Sequence, residues 1–305
     1  LIEVTIEDLS EEGTGIGKFE GMTFFIKDAV IGDRVRAKIM KLKKTYGFAR
    51  LMEVLTPSPD RVEPLCPVAR QCGGCQIQAM SYEAQLAFKT RKVESNLKRI
   101  GKFEEIPMES IIGMEDPFHY RNKAQFPFGK NRDGKIITGF YAGRTHSIIE
   151  NTSCHLGKEV NEEILEKILA WMNAFHVEPY NEAAGKGLMR HSLIRCGFRT
   201  GEIMVCLVIN GRKIPGEEAL VDSLKIIPGM TSISLNVNKE KTNVILGREV
   251  INLWGRPYIE DYIGEVKYQI SPLSFFQVNP VQTERLYGKA LEYAGLTGEE
   301  TVWDL

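Results

Sequence analysis

Three of the six cysteines in this chain lie within ten residues of each other, in the segment "CPVARQCGGCQIQ" at positions 66–78. Cys66, Cys72 and Cys75 have the spacing C-x5-C-x2-C. The two glycines between the last pair allow close backbone approach and expose N–H groups toward sulfur. The chain begins without a charged and then apolar export signal, and thiols of cytosolic proteins bind metals more often than they form disulfides. The segment therefore predicts a metal-ligand set in a cytoplasmic protein.

A tetrahedral site needs a fourth ligand, and three cysteines remain. Cys206 lies in the apolar run "EIMVCLVIN" and Cys196 in a similar strand-like segment, where buried structural cysteines are expected. Cys154, in the polar turn "ENTSCHLG", is the better candidate. The asymmetric spacing favours a [4Fe–4S] cluster, with zinc or incidental cysteines as alternatives, because structural zinc sites usually consist of two C-x2-4-C pairs. The C-x3-C-x2-C arrangement of radical enzymes is absent, so a structural cluster is expected.

Residues 1–57 alternate apolar and polar positions in short runs separated by glycines. This pattern predicts a small β-barrel of about five strands, of the TRAM or oligonucleotide-binding type, although any small β-domain would give similar letters. The net charge of the chain is only −1, but residues 34–50 contain seven basic and no acidic residues. Lys43 and Lys44 in this stretch are predicted to bind RNA, because a neutral total charge can conceal a basic face.

The rest of the chain predicts two further parts. Residues 58–262 combine strand-like runs with helical periods, among them a helix that begins after Ser81, and predict an α+β domain with a largely antiparallel sheet. In residues 263–305, Asn279 is a predicted helix cap, and an apolar strand ending at Asp304 predicts the start of an α/β doubly wound domain. The fold class expected is therefore multidomain. No apolar run approaches the ~20 residues of a membrane span.

Several of these motifs together resemble a known family. The N-terminal barrel, the cysteine segment with distant Cys154, "YRNKAQF", and "SFFQVNPVQTERLY" before "VWDL" are similar to the iron–sulfur-containing RNA uridine-5-methyltransferases of the RumA/RlmD type. The resemblance implies methylation of uridine C5 in 23S rRNA, with S-adenosyl-L-methionine as the methyl donor. It also implies that a cysteine thiolate adds to C6 of a flipped uridine before the methyl group is transferred to C5.

The resemblance assigns roles to four residues of this chain. Gln277 matches a glutamine beside the cofactor and the target, and Phe275 matches an aromatic residue that stacks on a base. Arg121 and Lys123, in "YRNK", match a basic stretch that binds phosphate or an extruded loop. The competing interpretations are a core position for Phe275 and a solvated strand face for the two cations.

The catalytic nucleophile of the family lies in a segment that this sequence does not contain, so no catalytic residue is expected in this chain and the nucleophile is expected beyond residue 305. The resemblance implies 23S rRNA as a partner, with no membrane and no obligate protein partner. The alternative function is an RNA-binding iron–sulfur module without catalytic activity.

Overall fold

The first part of the chain is a closed five-stranded barrel. The computed structural model describes residues 1–303 and divides them into two compact units, of which the first comprises residues 1–113 and 141–145. The barrel strands follow the order β1-β2-β3-β5-β4. They are β1 (Ile2–Leu9), β2 (Gly15–Phe19), β3 (Met22–Lys27), β4 (Arg34–Leu42) and β5 (Tyr46–Thr56).

Alternation of side chains decides which residues fill the barrel. In β1, Ile2, Val4 and Ile6 are buried while the residues between them are exposed, as expected for a strand with one face on a core. Gly17 in β2 is required by close packing, because a Cβ atom there would lie 2.3 Å from Cγ1 of Val4. The predicted small barrel is therefore present, and its interior is apolar.

The proline-rich segment after the barrel is anchored by a buried carboxylate. Asp33 has no exposed surface and accepts hydrogen bonds from the backbone N–H groups of Val30 (2.7 Å) and Ser58 (2.9 Å). The Arg61 guanidinium completes the arrangement with an ion pair of 2.5 Å to Asp33. The connection that leads into the cysteine segment is thus attached to the barrel.

Helix α1 (Tyr82–Arg99) begins as predicted, with the Ser81 hydroxyl accepting a hydrogen bond from the Ala84 N–H. The sequence period places Leu86, Val93, Leu97 and Ile100 on one apolar face, but the buried face is a different one. Ala84 and Phe88 pack on the barrel side of the unit, whereas Val93 and Ile100 are exposed. The apolar period of the sequence located the helix but not the face that is covered.

The second unit, residues 114–140 and 146 onward, is built on a seven-stranded sheet. The strand order is β12-β11-β10-β9-β6-β7-β8, and β10 pairs in parallel with β11. The strands are β6 (Lys123–Lys130), β7 (Ile136–Tyr141), β8 (Ile148–Glu150), β9 (Met189–Cys196), β10 (Ile203–Ile209), β11 (Met230–Val237) and β12 (Glu249–Gly255). This unit therefore combines a largely antiparallel sheet with helices.

Two helices complete the core of this unit. Helices α2 (Val160–Ala174) and α3 (Glu217–Lys225) bury apolar residues in one cluster with the central strands. Every residue of β9 and β10 is buried, which indicates that these strands are covered on both faces. Within the part of the chain described, none of the helices has the length and apolar character needed to cross a lipid bilayer.

The last part of the chain does not have the expected fold. Residues 256–303 form an antiparallel hairpin of β13 (Ile259–Ile263) and β14 (Val266–Ile270), followed by α4 (Pro280–Ala294). The predicted Asn279 cap and Pro280 start of α4 are confirmed. The predicted start of a doubly wound domain is wrong for residues 263–303, because a parallel sheet requires strands joined by helical crossovers and β14 pairs only antiparallel with β13. The strand end predicted at Asp304 lies outside the described residues.

Candidate nucleic-acid interface

The loop between β14 and α4 presents an aromatic side chain to solvent. Phe275 is 85% exposed, whereas the neighbouring Phe276 is buried with Met204 and Ile270. One phenylalanine of the pair thus anchors the loop and the other projects from it. The core position considered for Phe275 is not the one the structure shows, and an exposed aromatic ring is suited to stack on an unpaired base.

Buried polar groups hold the backbone of this loop. Arg195 of β9 is only 3% exposed, and its guanidinium donates to the carbonyl oxygens of Pro272 (3.5 Å) and Ser274. The Asn122 side chain donates to the Gln277 carbonyl at 2.8 Å. Because these donors lie in or next to strands of the sheet, the loop that carries Phe275 is fixed to a rigid support.

Gln277 lies at the end of the same loop and is half-buried. Its side-chain amide nitrogen is 3.4 Å from the hydroxyl oxygen of Tyr287 on α4, within hydrogen-bonding distance. The next polar residue, Asn279, caps α4 by accepting from the Gln282 N–H. The structure therefore brings Gln277 and Phe275 together on one short loop.

Positive charge is concentrated beside this loop. Burial lowers the pKa of Lys123, and the nearby charges of Arg195 and Arg121 lower it further. Burial also lowers the pKa of Arg195 to about 10, so its guanidinium is charged at neutral pH. Since the three cations repel one another, the site has a positive potential that favours an anion such as an RNA phosphate.

Lys43 and Lys44 lie in the other unit, in the exposed turn between β4 and β5. The turn is closed by a hydrogen bond of 2.8 Å from the Lys43 N–H to the Tyr46 carbonyl. Both side chains are therefore on the outer surface of the barrel, where a cation can meet a phosphate.

The part of the chain that the structure describes shows no metal site at the predicted ligands. Cys66, Cys72 and Cys75 belong to the first unit and Cys154 to the second. Across residues 1–303, no group of three or more His, Cys, Asp or Glu side chains is close enough to hold a metal ion. The Cys72 sulfur instead accepts a hydrogen bond from the Gly74 N–H (3.3 Å), and the Cys75 sulfur is 3.7 Å from the Gln78 side-chain nitrogen.

These contacts are the kind that surround ligating sulfurs, but a thiolate set must place every sulfur about 2.3 Å from the metal. In this structure the residues therefore do not fit a [4Fe–4S] cluster as a complete ligand set, and neither iron–sulfur nor zinc binding is supported by the geometry.

Cys196 and Cys206 are buried strand residues, as their apolar context indicated. Burial raises the pKa of Cys196 to about 12 and that of Cys206 to about 11. Both thiols are therefore protonated at neutral pH, and neither has the character of a nucleophile.

Two residues of the loop support were missed in the sequence. Arg195 lies in the strand-like run "HSLIRC", and an arginine next to apolar residues of a central strand is the sequence signal for a buried charge. Asn122 lies between Arg121 and Lys123 in "YRNK", where nothing in the neighbouring sequence indicates its contact with the Gln277 carbonyl.

Comparison with known proteins agrees with this arrangement. The family model described as TRAM domain matches residues 1–52, which confirms the predicted TRAM barrel. An uncharacterized RNA methyltransferase of Caldanaerobacter subterraneus is 44% identical over 99% of this chain and 67% of its own length. The chain belongs to this RNA methyltransferase family. A second uncharacterized RNA methyltransferase, from Clostridium acetobutylicum, is 48% identical over 99% of this chain and 66% of its own length.

A solved structure of another RNA methyltransferase has a similar fold over most of this chain. The crystal structure of the Pyrococcus abyssi tRNA (uracil-54, C5)-methyltransferase with S-adenosyl-L-homocysteine matches 95% of this chain and 64% of that chain, with a TM-score of 0.74 and 25% identity. The chain thus spans 66% of the Clostridium relative and 64% of the solved protein.

The methyltransferase similarity covers 99% of the chain in the relatives and 95% in the solved structure. This overturns the expected fold class, in which only residues 263–305 contained the start of a methyltransferase domain. It also gives no support to the expectation that the chain lacks a catalytic core.

Proposed function

We propose that the protein to which this chain belongs methylates uridine at C5 in RNA, with S-adenosyl-L-methionine as donor. The observation that carries the proposal is the match of 95% of the chain to a uracil C5-methyltransferase bound to S-adenosyl-L-homocysteine, the product left by that donor. S-adenosyl-L-methionine supplies the methyl group when bound. The residues of this chain bind and orient the RNA.

The loop after β14 has the chemistry required for an extruded nucleotide. Phe275 offers an exposed ring for stacking, and the cations Arg121 and Lys123 offer charge for the flanking phosphates. Gln277, half-buried beside Tyr287, offers amide groups that can hydrogen-bond the uracil edge or the methyl donor. No nucleophilic role is assigned to Cys196 or Cys206, whose thiols are protonated.

We propose 23S rRNA as the substrate, on the resemblance of the sequence motifs, although the solved neighbour acts on tRNA. The test is transfer of a tritiated methyl group from S-adenosyl-L-methionine to 23S rRNA and to tRNA transcripts, followed by mass mapping of 5-methyluridine. Labelling of 23S rRNA alone supports the proposal, and labelling of tRNA alone contradicts the choice of substrate. Tight RNA binding without methyl transfer would instead support the alternative of an RNA-binding module without catalysis.

A [4Fe–4S] cluster on Cys66, Cys72, Cys75 and Cys154 is proposed from the sequence spacing and the resemblance alone. Protein purified without air should then be brown and contain about four iron and four sulfide ions per chain. A colourless, iron-free protein that still binds RNA would remove the cluster and leave the proposed methylation standing.

The domain boundary between residues 57 and 58, with an iron–sulfur and RNA-binding α+β domain over residues 58–262, also stays a prediction. We further propose that the protein acts in the cytoplasm without an obligate protein partner.

A further inference from the structure

The connection between β11 and β12 is longer than two neighbouring antiparallel strands require. Strand β11 ends at Val237 and β12 begins at Glu249, and residues 238–248 join them without helix or strand. Hairpin loops usually have about 2–5 residues. Compact surface loops whose ends lie close together are frequently functional. The β11–β12 loop, residues 238–248, therefore needs an explanation beyond chain connection.

Two buried asparagines close the base of this loop. Asn236 has no exposed surface, and its side chain donates to the Gly247 carbonyl (2.9 Å) and accepts from the Gly247 N–H (2.7 Å). Asn238 is 4% exposed, and its Nδ2 donates to the carbonyl oxygens of Val244 (2.8 Å) and Ile245 (2.9 Å). The loop thus has a defined backbone conformation, with its polar groups satisfied at the base.

An irregularity of the neighbouring strands aims a third anchor at the loop. Val208 of β10 pairs with His191, whereas the next residue, Ile209, pairs with Met189. Arg190 is therefore the extra residue of a β-bulge in β9. Bulges re-aim a side chain and recur next to functional sites.

The re-aimed side chain of Arg190 holds the loop by its backbone. Arg190 is 5% exposed, and its Nη1 donates to the carbonyl oxygens of Asn238 (3.1 Å) and Glu240 (2.8 Å). The guanidinium carbon lies 4.3 Å from the centroid of the Tyr180 ring. Nε is buried without a hydrogen-bond partner, and no carboxylate in the described part of the chain pairs with the charge. Burying such a charge costs free energy, so a merely structural loop would be held more cheaply by a neutral side chain.

The tip of the loop is a basic surface. Residues 239–244 are all exposed, and among residues 1–303 neither Lys239 nor Lys241 forms an ion pair. Lys241 lies across the neighbouring loop, because a Cβ added at Gly185 would be 2.7 Å from its Nζ. This position brings Lys241 beside the exposed Lys186.

Cations outnumber acids on these two loops. The acids are Glu240 and Glu182, and Glu182 contacts the His146 ring at 2.7 Å. The cations are Lys186, Arg190, Lys239, Lys241 and Arg248. An excess of positive charge on a rigid support favours an anion, and in an RNA methyltransferase the abundant anion is the phosphate of the substrate.

We propose that the β11–β12 loop binds phosphates of the RNA substrate through Lys239 and Lys241, with Arg190 as the positioning residue that holds the loop. Arg190 and Arg195 are separated by roughly 15 Å along β9, so the enzyme gains a second RNA contact at the other end of this strand from the anchor of the Phe275 loop. The inference rests on the proposed function, because it names a further contact for the same substrate.

The first test is lysine footprinting of the full, unaltered chain. The protein is treated with sulfosuccinimidyl acetate with and without a stem–loop transcript of 23S rRNA, and the acetylated lysines are identified by mass spectrometry. RNA should lower the acetylation rates of Lys239 and Lys241 severalfold. Lys225 on α3 is the internal control and should be acetylated at the same rate in both samples. This measurement does not depend on the folding of any variant.

The second test measures affinity for the same transcript against salt concentration by fluorescence anisotropy. The double change Lys239→Gln and Lys241→Gln should reduce the slope by about 1.4–1.8, because two phosphate contacts are lost. Lys225→Gln is the matched control and should keep the slope.

Arg190→Met tests the positioning role, because it keeps both lysines but removes the anchor. Trypsin should then cleave after Lys239 and Lys241 faster than in the unaltered chain, and RNA affinity should fall. Arg190→Lys keeps a cation that can donate to a loop carbonyl, so it should restore part of both properties. A variant with faster cleavage and unaltered RNA affinity would make Arg190 purely structural.

Unchanged acetylation of Lys239 and Lys241 in the presence of RNA, or an unaltered salt slope in the double variant, would overturn the loop as an RNA contact. Failure of the unaltered chain to bind the transcript would overturn it as well. The methyl-transfer assay reports separately on the proposed function. Methylation with an unprotected loop would reject the loop alone, whereas protection of the loop without methylation would reject the proposed activity alone.

Discussion

Asp33 in the first unit and Arg195 in the second are both buried charges, but they are balanced in different ways. Asp33 has an ion pair with Arg61 and hydrogen bonds from two backbone N–H groups. Arg195 donates only to the carbonyl oxygens of Pro272 and Ser274, and no carboxylate among residues 1–303 forms an ion pair with it. Its Nε atom is buried without a hydrogen-bond partner.

The difference separates a structural charge from one that shapes a binding site. A paired and hydrogen-bonded carboxylate leaves little net field around it, so Asp33 serves to join the barrel to the following segment. Carbonyl oxygens accept hydrogen bonds from one terminal nitrogen of the Arg195 guanidinium, Nη2, but do not cancel its charge. A positive potential therefore remains beside Lys123 and Arg121, where the proposed site binds RNA phosphate.

The largest effect is expected for Asp33→Ala. It leaves two backbone N–H groups without their acceptor and the Arg61 guanidinium without its carboxylate partner, and the free energy of unfolding should fall by about 3–5 kcal/mol. Urea denaturation followed by circular dichroism measures the change. Glu53→Ala, which removes an exposed ion pair with Arg36, is the control and should unfold like the unaltered chain. If Asp33→Ala and Glu53→Ala had equal free energies of unfolding, the buried carboxylate would stabilise the fold no more than the exposed one.

Protonation of His191 offers a second test, because this buried base is neutral at pH 7 and becomes charged only in acid, whereas Arg195 is charged throughout that pH range. Burial lowers the pKa of His191 to about 4, and the neighbouring charge of Arg190 acts in the same direction. Glu182 opposes the shift, and His146 adds to it. Between the unfolded value near 6.5 and the folded value near 4, the unfolded chain binds more protons. Stability should therefore fall as pH decreases through this window.

The full loss is roughly 3 kcal/mol, reached below pH 4. Urea titrations at pH 7, 5.5 and 4.5 measure it, with His191→Gln as the variant that should flatten the pH dependence in this range. A profile that is identical with and without His191 would assign the acid sensitivity to other groups.

Arg195→Met should have a smaller effect on stability and a clear effect on RNA binding. Replacing an unpaired buried charge by an apolar side chain of similar length removes a desolvation cost, so the free energy of unfolding should change by no more than about 1 kcal/mol. RNA affinity should fall about tenfold, because the loop of Phe275 loses its anchor and the site loses positive potential. Arg195→Lys keeps the charge but not the guanidinium that donates to both carbonyl oxygens, so its RNA affinity should be intermediate.

Fluorescence anisotropy with an rRNA fragment, together with urea denaturation, separates the two expectations. A variant that unfolds as readily as Asp33→Ala yet binds RNA normally would make Arg195 a structural residue. The proposed difference between the two buried charges, with Asp33 structural and Arg195 shaping the binding site, would then be wrong.

Local features of the fold were predictable because neighbouring residues determine them. The alternation of Ile2, Val4 and Ile6 located a barrel strand, and the capping side chains of Ser81 and Asn279 located two helix starts. The exposed face of α1 was not predictable, since it depends on which distant residues cover Ala84 and Phe88.

The candidate site was only partly predictable for the same reason. The motif "SFFQVN" drew attention to Phe275 and Gln277, but two adjacent phenylalanines give no local signal for which one faces solvent. The anchor of the loop, Arg195, is 79 residues from Ser274 in the chain, so the contact follows from the sheet and not from spacing. The expected doubly wound start failed because a helix between apolar segments fits several topologies.

The smallest effect is expected for the double change Lys43→Gln and Lys44→Gln. These two lysines are exposed cations, in contrast to the buried Arg195. Exposed cations that contact phosphate contribute through counterion release, so the salt slope for single-stranded RNA should decrease by about 1.4 for two contacts. The loss of affinity should be visible at low salt and disappear at high salt. Lys225→Gln, an exposed lysine paired with Asp222 in the other unit, is the matched control. If the turn variant bound RNA with the slope of the unaltered chain, the basic stretch of the barrel would be a solvated surface, and the positive potential around Arg195 would be the stronger electrostatic determinant of RNA binding.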